Sequence, residues 1–455
     1  MSNETEATPL KLSRYVIASE PLAIRGQDRA HQVIYSTRSG EILIFDEFAW
    51  RLIVSGAIDR LPPTLRQQAR AAAILVPADE DELGCVLRET RAAIAADDVL
   101  YQVIQPTAWC QLGCGYCGQE HSDARLAEDD QAALLERLEA RLAGGRYREL
   151  QVGWFGAEPL AGLGVMRALS PRLRALAAAS GCSYRAKIVT NGLALTVAVA
   201  EELVREHQVS EAEVTLDGLA EDHDRRRHTK RGGPTFAAIL GNLIAVARQT
   251  TLGLVIRCNV DRSNAAGVPA LIDALAEAGL QSRIRFYTSP VHAWGNDAHL
   301  RALSKDDYAA MELEWLAQLH RCGFAVGLIP QRRPIVCMSV RDDAEVIDAT
   351  GATYNCTEVS YVPSYGSPNL YALRLPGAPR SRPRQVPEAT RLRDFNAGIL
   401  AGAEPSCAAC PMLPVCGGQC PKSWHEGHEP CPSARRNMPQ RLSMLLAAGL
   451  APASR

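Results

Sequence analysis

The stretch "CQLGCGYC", Cys110 to Cys117, follows directly on the apolar run "LYQVIQPTAW" at residues 100–109. The run predicts a strand, and the three thiols, spaced by three residues and then two, stand at its exit. Glycines at 113, 115 and 118 let the loop fold tightly around a bound centre. Protein-held iron–sulfur cubes normally take four cysteines, so a set of three leaves one iron open to another ligand. Zinc prefers four ligands, and no fourth Cys or His follows at zinc-finger spacing, although His121 is near. Ordinary buried cysteines are the third reading.

The rest of the chain sets the context. It has 455 residues, enough for a large core and more than one domain. Hydrophobic residues make up 47% and charged ones 22%, an ordinary globular balance. A formal net charge of -2 gives general nucleic-acid binding no electrostatic support. No apolar run is long enough to cross a bilayer, and "MSNETEATPLKLSRY" has no apolar signal core. A cytoplasmic protein with neither a nucleic-acid nor a membrane partner is expected. In such a reducing compartment, clustered cysteines point to metal sites rather than disulfides.

Residues 1–12 read as a frayed tail. Gln32–Tyr35 and Glu41–Phe45 read as two strands joined by the turn "RSG", and residues 50–98 carry helical spacing. This predicts a small α+β domain over 1–98. From 99 to 325 strand-like runs alternate with amphipathic segments: "YQVIQ", "ELQVGWF", "SYRAKIVT", "EAEVTLDG", "LGLVIRCNV" and "SRIRFYTS" are the strands. Six βα repeats predict an α/β fold, a partial (β/α)6 TIM-like barrel, with a doubly wound sheet as the alternative. The Gly-x-Gly-x-x-Gly pattern of a dinucleotide fold is absent after the first strand. Residues 303–325 predict a further helix, 374–393 a Pro-rich loop, and 438–448 a last helix.

The loop Cys110–Cys117 resembles the cluster loop of the radical S-adenosylmethionine (radical SAM) superfamily, with Tyr116 as the aromatic before the last Cys. The resemblance implies a [4Fe–4S] cluster on Cys110, Cys114 and Cys117. S-adenosyl-L-methionine then chelates the open iron and is cleaved by one electron to a 5′-deoxyadenosyl radical. Further stretches carry it. "WFGAEPL" at 154–160 resembles the family's Gly-Gly-Glu-Pro motif, with Ala157 at the second Gly. It implies SAM contacts from Gly156 and from Glu158, whose carboxylate would accept from the SAM amine. "IVTNG" supplies Thr190 and Asn191. "VTLDGLAEDHDRRR" at 214–227 resembles a Ser-x-Asp-Gly and His-Asp-x-x-Arg region, with Thr215 and Asp217 at a strand end. Asp224 and Arg227 read equally well as a structural ion pair. Arg257 and Asn259 share one strand face, near SAM inside a barrel, or with Arg257 paired to a buried acid. Cys258 on the opposite face, with Cys85, Cys182 and Cys322, reads as a small hydrophobe.

The C-terminal cysteines, C-x13-G-x4-C from Cys337 to Cys356 and then C-x2-C-x5-C-x3-C and Cys431, resemble the seven-cysteine SPASM domain of radical SAM peptide- and protein-modifying enzymes. Zinc ribbons compete for the C-x2-C pair. The resemblance implies a SPASM domain over 326–455 with two auxiliary [4Fe–4S] clusters, three clusters in all. Cys407, Cys410, Cys416 and Cys431 would hold the outer one. Cys337, Cys356 and Cys420 would hold the inner one, with its fourth ligand open or supplied by a distant residue such as Cys322.

"YSTRSGEILIFDEFAW" resembles the N-terminal segment of peptide-maturing members, which pairs with a leader peptide by strand addition. The expected function is radical modification of a ribosomal precursor peptide carrying a leader. The product would be a thioether, C–C or ether crosslink, and the electron would come from a donor such as flavodoxin or ferredoxin. A formylglycine-forming sulfatase maturase, or another protein-cofactor maturase, is the alternative. That group often has an Asp catalytic base directly after the second SPASM cysteine. Here Thr357 follows Cys356, and Glu358 is the candidate base. A non-enzymatic Fe–S carrier is the bland reading. Tyr287, His292 and Trp294 are candidate substrate-side residues by position.

Overall fold

The computed structural model describes residues 9–23, 28–292, 295–375, 392–400 and 405–447. Its centre is an eight-stranded mixed sheet. Six strands, Val99–Ile104, Glu149–Trp154, Ser183–Thr190, Val209–Thr215, Gly253–Val260 and Ile284–Pro290, are parallel neighbours in chain order. Helices Glu128–Leu142, Leu163–Ala179, Val197–Arg205, Phe236–Gln249 and Val268–Glu277 connect them, and Lys305–Arg321 follows the last. The sheet therefore resembles a partial barrel. Because every strand runs the same way, all six C-terminal ends open on one edge. Behind that edge Leu150, Val152, Trp154, Ile188, Val214, Ile256 and Cys258 pack with Leu134, Leu138, Leu169 and Leu243 from the helices in one continuous core.

Two further strands come from beyond residue 325. Glu345–Ile347 pairs parallel with the first strand, and Thr353–Tyr354 turns back antiparallel to it. Glu345 is buried, and Arg137 (2.9 Å) and Arg141 (3.3 Å) of the first connecting helix fix its carboxylate. A buried acid held by two guanidinium groups makes this edge pairing specific to one register. The cysteine-rich region is thus tied into the central sheet. Nothing in the sequence pattern marks this, because three residues are too few for a periodicity.

The N-terminal unit has Ala30–Ser36 as its central strand, flanked by Val16–Ala18 and Leu22–Ala23 on one side and Ile42–Asp46 on the other. Of the two strands expected here, only Ile42–Asp46 lies at an edge. The expectation of a frayed start is corrected at Leu10–Leu12, which pairs with Leu75–Pro77. The sheet's other face packs on the C-terminal region: Val33 and Tyr35 meet Cys410, Met412, Met438 and Leu442. Thr37 Oγ1 also donates to the Pro411 carbonyl at 2.5 Å. The last helix, Ala434–Ala447, lies against Lys305–Arg321, with Arg441 on Glu312 at 2.5 Å. Most of the expected 374–393 loop is outside the described residues.

Candidate functional site

The loop after the first strand carries Cys110, Cys114 and Cys117 to the open edge of the sheet. All three line one cleft of about 1070 Å³ of non-atom space, counted out to its open mouth. Each of the other five strand ends adds to the same wall: Gly156 and Ala157, then Thr190 and Asn191, then Thr215, then Arg257 and Asn259, then Pro290 to His292. Tyr116 and Arg227 complete it. Gly156 has φ +115°, and a Cβ there would stand 2.9 Å from Cβ of Gln105. Only glycine fits this turn. Ala157, the departure from the Gly-Gly motif, sits in the wall without such a clash.

Glu158 is 1% exposed and does not line the cleft. Thr190 Oγ1 donates to Oε1 at 2.6 Å, the Leu160 amide to Oε1 at 3.0 Å and the Asn191 amide to Oε2 at 2.7 Å. Burial pushes its pKa up while these three donors pull it down. The carboxylate expected at the SAM amine therefore anchors the Thr190–Asn191 turn. Asn191 Nδ2 in turn points at Cys110 Sγ, 3.8 Å away.

Asp217 is likewise fully buried behind the wall. It accepts from Tyr116 Oη at 2.7 Å and from the Asn259 amide at 2.9 Å. Arg227 Nη1 (2.5 Å) and Asn259 Nδ2 (3.1 Å) both donate to the same Tyr116 oxygen. Arg226 lies over the Tyr116 ring, 5.2 Å from its centroid, and pairs with Asp261 at 2.5 Å. The aromatic of the cluster loop is thus clamped through its hydroxyl by the strand ends and a short helix. Asp224 and Arg227 do not pair. Asp224 accepts the Thr235 and Phe236 amides at 2.7 and 2.8 Å, while Arg227 faces the cleft. Its Nε is buried with no hydrogen-bond partner among the described residues. Sequence reading missed Arg227 as a cleft residue. Three consecutive arginines follow the fourth strand, and only the fold buries two and leaves Arg225 exposed.

Arg257 reaches Asn259 Oδ1 (2.8 Å) and Ser289 Oγ (3.3 Å), with Glu213 at 3.8 Å. Tyr287 donates to Glu213 at 3.0 Å. His292 lines the cleft, and Trp294 lies outside the described residues. Cys258 is fully buried in the main core. Cys322 ends helix Lys305–Arg321 with its thiol 3.7 Å from Asp273, in the helix layer. Cys182 Sγ donates to the Tyr147 carbonyl at 3.2 Å, and Cys85 Sγ accepts from Arg88 at 3.0 Å.

The C-terminal thiols fall into two groups. Cys407, Cys410, Cys416 and Cys431 line one cavity of about 280 Å³ of non-atom space, and Arg435 Nη1 donates to Cys431 Sγ at 2.8 Å. Cys337, Cys356 and Cys420 form the other. Burial pushes the Cys356 thiol well up, and Cys337, Glu358 and Cys420 push it further. Burial raises Cys337 too, with Cys420 and Glu358 again among its neighbours. Glu358 stands beside this group, partly buried. Desolvation lifts its pKa to about 7 against the pull of Arg257 and Lys422.

Among the described residues no group of three or more His, Cys, Asp or Glu side chains could hold a single metal ion. A four-iron cube is larger than one ion, so its thiolates stand further apart, lining a cavity rather than meeting at a point. Four thiols around one cavity, and three around a cleft rimmed by polar groups, fit such a centre. Burial pushes the Cys110 thiol up to about 12.

Residues 104–251 match the family described as the Radical SAM superfamily. No curated protein matches the chain. Native anSMEcpe with bound AdoMet and Cp18Cys peptide is similar over 77% of this chain and 99% of that one, with TM-score 0.56 at 16% identity. Native anSMEcpe with bound AdoMet alone covers 77% and 99%, with TM-score 0.55 at 15% identity. Streptococcus suis SuiB bound to precursor peptide SuiA covers 90% and 95%, with TM-score 0.49 at 13% identity. At such identities the structural likeness speaks to the fold. No helix among the described residues is long and apolar enough to cross a membrane. With the matched residues 104–251 spanning the cluster loop and the second to fourth strands, the chain carries a radical SAM superfamily domain and is an enzyme, and its C-terminal cysteines are consistent with a SPASM-like auxiliary domain.

Proposed function

We propose that the chain modifies a ribosomal precursor peptide by radical chemistry, forming a thioether, C–C or ether crosslink. One observation carries the reading: six strand ends bring three thiols, two polar turns and two arginines, Arg227 and Arg257, to a single cleft. In the proposal Cys110, Cys114 and Cys117 hold a [4Fe–4S] cluster. Arg227, with its buried Nε, faces the SAM carboxylate, and Gly156, Thr190, Asn191, Thr215 and Asn259 shape the rest of the cradle. When bound, the pair supplies a 5′-deoxyadenosyl radical able to abstract hydrogen from substrate. The protein's own part is to position and to exclude water. Glu158 and Asp217 stiffen the wall from behind.

Two auxiliary [4Fe–4S] clusters, an outer on Cys407, Cys410, Cys416 and Cys431 and an inner on Cys337, Cys356 and Cys420, complete the proposal. In the proposal Glu358, which feels both Arg257 and the inner thiols, accepts a proton from substrate. One of the anSMEcpe structures of similar fold carries both AdoMet and a peptide. A peptide substrate suits the open cleft here. The exposed edge Ile42–Asp46, with Ile44 and Phe48 about half exposed, suits leader pairing by strand addition.

Anaerobic reconstitution with iron and sulfide tests the reading. About twelve irons and 5′-deoxyadenosine on adding SAM and dithionite are expected. A folded zinc protein without SAM cleavage would refute it. Incubation with a short peptide encoded beside the gene then separates crosslinking, read as a loss of two hydrogens, from formylglycine formation on a sulfatase peptide.

A further inference from the structure

The cluster loop has an outer face as well as a cleft face. The cleft face is where SAM and substrate would sit, so an electron donor must approach from elsewhere. Segment 226–230, whose Arg227 side chain turns into the cleft, runs along the loop and is exposed from Lys230 on. Gly113 N donates to the His228 carbonyl (2.9 Å), Gly115 N to that of Arg226 (3.0 Å), and Lys230 N to that of Gln111 (2.9 Å). Gly115 is exposed, with no atom within 4 Å of the place its Cβ would take. Here the loop backbone itself reaches solvent, one residue from Cys114 and two from Cys117.

Around this opening stand exposed cations. Arg301 Nη2 donates to the Gly115 carbonyl at 3.1 Å, and Arg262 follows, its amide bonded to the Arg301 carbonyl at 3.0 Å. Lys230 and Arg231 are exposed on the opposite strand of the wrap. The Lys230 ammonium lies 5.9 Å from the ring centroid of Trp109, the residue before Cys110. Trp109 is 41% exposed, one of few large aromatic side chains left in water. Arg225 is already paired with Asp222. The exposed acids nearby are Glu120 and Asp123 on the loop's return arm, with Arg125 beside them, and Asp297 at the start of the turn Ala298–Arg301. On a chain of net charge -2, this concentration of positive charge is local. A charged rim around an exposed aromatic is the make-up of an interface that steers and then docks a partner.

We infer that this face, Trp109, Lys230, Arg231, Arg262 and Arg301 around Gly115, docks a small acidic one-electron carrier protein. The inference rests on the radical SAM reading of the cleft. In the transfer the carrier is oxidised by one electron and the cluster reduced by one, and no bond or proton moves.

The test mixes reduced flavodoxin with the reconstituted holoenzyme anaerobically and follows cluster bleaching and 5′-deoxyadenosine. For the double variant K230E/R231E the flavodoxin-driven rate should fall about tenfold or more at low salt and lose most of its salt dependence. SAM cleavage with saturating dithionite should stay as in the parent. An unchanged flavodoxin rate overturns the proposal. So does a loss of precursor-peptide binding with flavodoxin kinetics intact, which would give the face to the peptide. If dithionite-driven cleavage falls as well, R231E and R262E, whose side chains make no hydrogen bond or ion pair with the loop among the described residues, decide: a normal flavodoxin rate in both overturns the docking face. No cleavage by the parent with either reductant would instead remove the radical reading itself.

Discussion

The cleft at the sheet edge and the cysteine-rich region after residue 330 both gather thiols, but by different means. In the cleft, each thiol stands on a loop backed by parallel strands and a wide apolar core. Behind its wall, Glu158 and Asp217 spend their oxygens on the chain's own donors. This site is held by hydrogen bonds and packing among the chain's own residues. In the C-terminal region most regular elements around the thiols are no more than five residues long, as in Leu413–Cys416 and Pro421–His425, with helix Ala434–Ala447 after Cys431 the exception. Pieces so short cannot hold themselves together. Their thiols, from Cys337 to Cys431, come together across loops, and ligation is the natural cross-link. On the proposed reading, one site is preorganised by the sheet and the other depends on the cluster it would hold.

The sharpest way to break this contrast is to remove one thiol from each region. Cys114→Ala should abolish SAM cleavage and remove about four irons. Cys410→Ala should also remove about four irons yet leave dithionite-driven SAM cleavage in place. Iron analysis with deoxyadenosine mass spectrometry reads both, and equal loss of cleavage would mean the regions are not independent. Stripping iron by chelation comes next. Limited proteolysis should then cut within residues 331–447 well before the central sheet, whereas uniform digestion would show that both regions need metal.

Smaller effects sharpen the account of the cleft wall. Tyr116→Phe removes the oxygen shared by Asp217, Arg227 and Asn259, leaving buried charged groups short of a partner. It should cost about 1–3 kcal/mol by denaturant unfolding, and a neutral result would show that Arg227 finds another acceptor. A further effect appears only at acid pH. His223 is buried, and desolvation, helped by Arg227 and Arg226, lowers its pKa to about 3. Below its ordinary value of about 6.5, the unfolded chain takes up a proton that the folded one refuses. Stability should therefore fall as pH drops from about 6.5 toward 3, with no contribution above that window. His223→Gln should flatten this slope by about 1.4 kcal/mol per pH unit at most, and an unchanged slope would place the acid sensitivity elsewhere.

The sequence by itself determined the local pieces. The six strand runs, with Ser183–Thr190 matching residue for residue, and the three-thiol loop were legible because period and spacing are local properties of a chain. The groupings of C-terminal cysteines came from the resemblance to the SPASM domain and not from spacing, because Cys420 is nearer in the chain to Cys416 than Cys431 is, yet Cys431 lines the outer cavity. Only the tertiary structure decided which polar groups meet. Glu158 and Asp217 are strand-end carboxylates in sequence, yet they lie behind the wall rather than in it. Arg227 enters the cleft while Arg225, two residues earlier, faces water. Glu345–Ile347 joins the sheet from more than 240 residues away in the chain, beside Gln102–Ile104. Partners so distant are chosen by burial and by the pairing of charges inside a finished core. No local pattern carries that information.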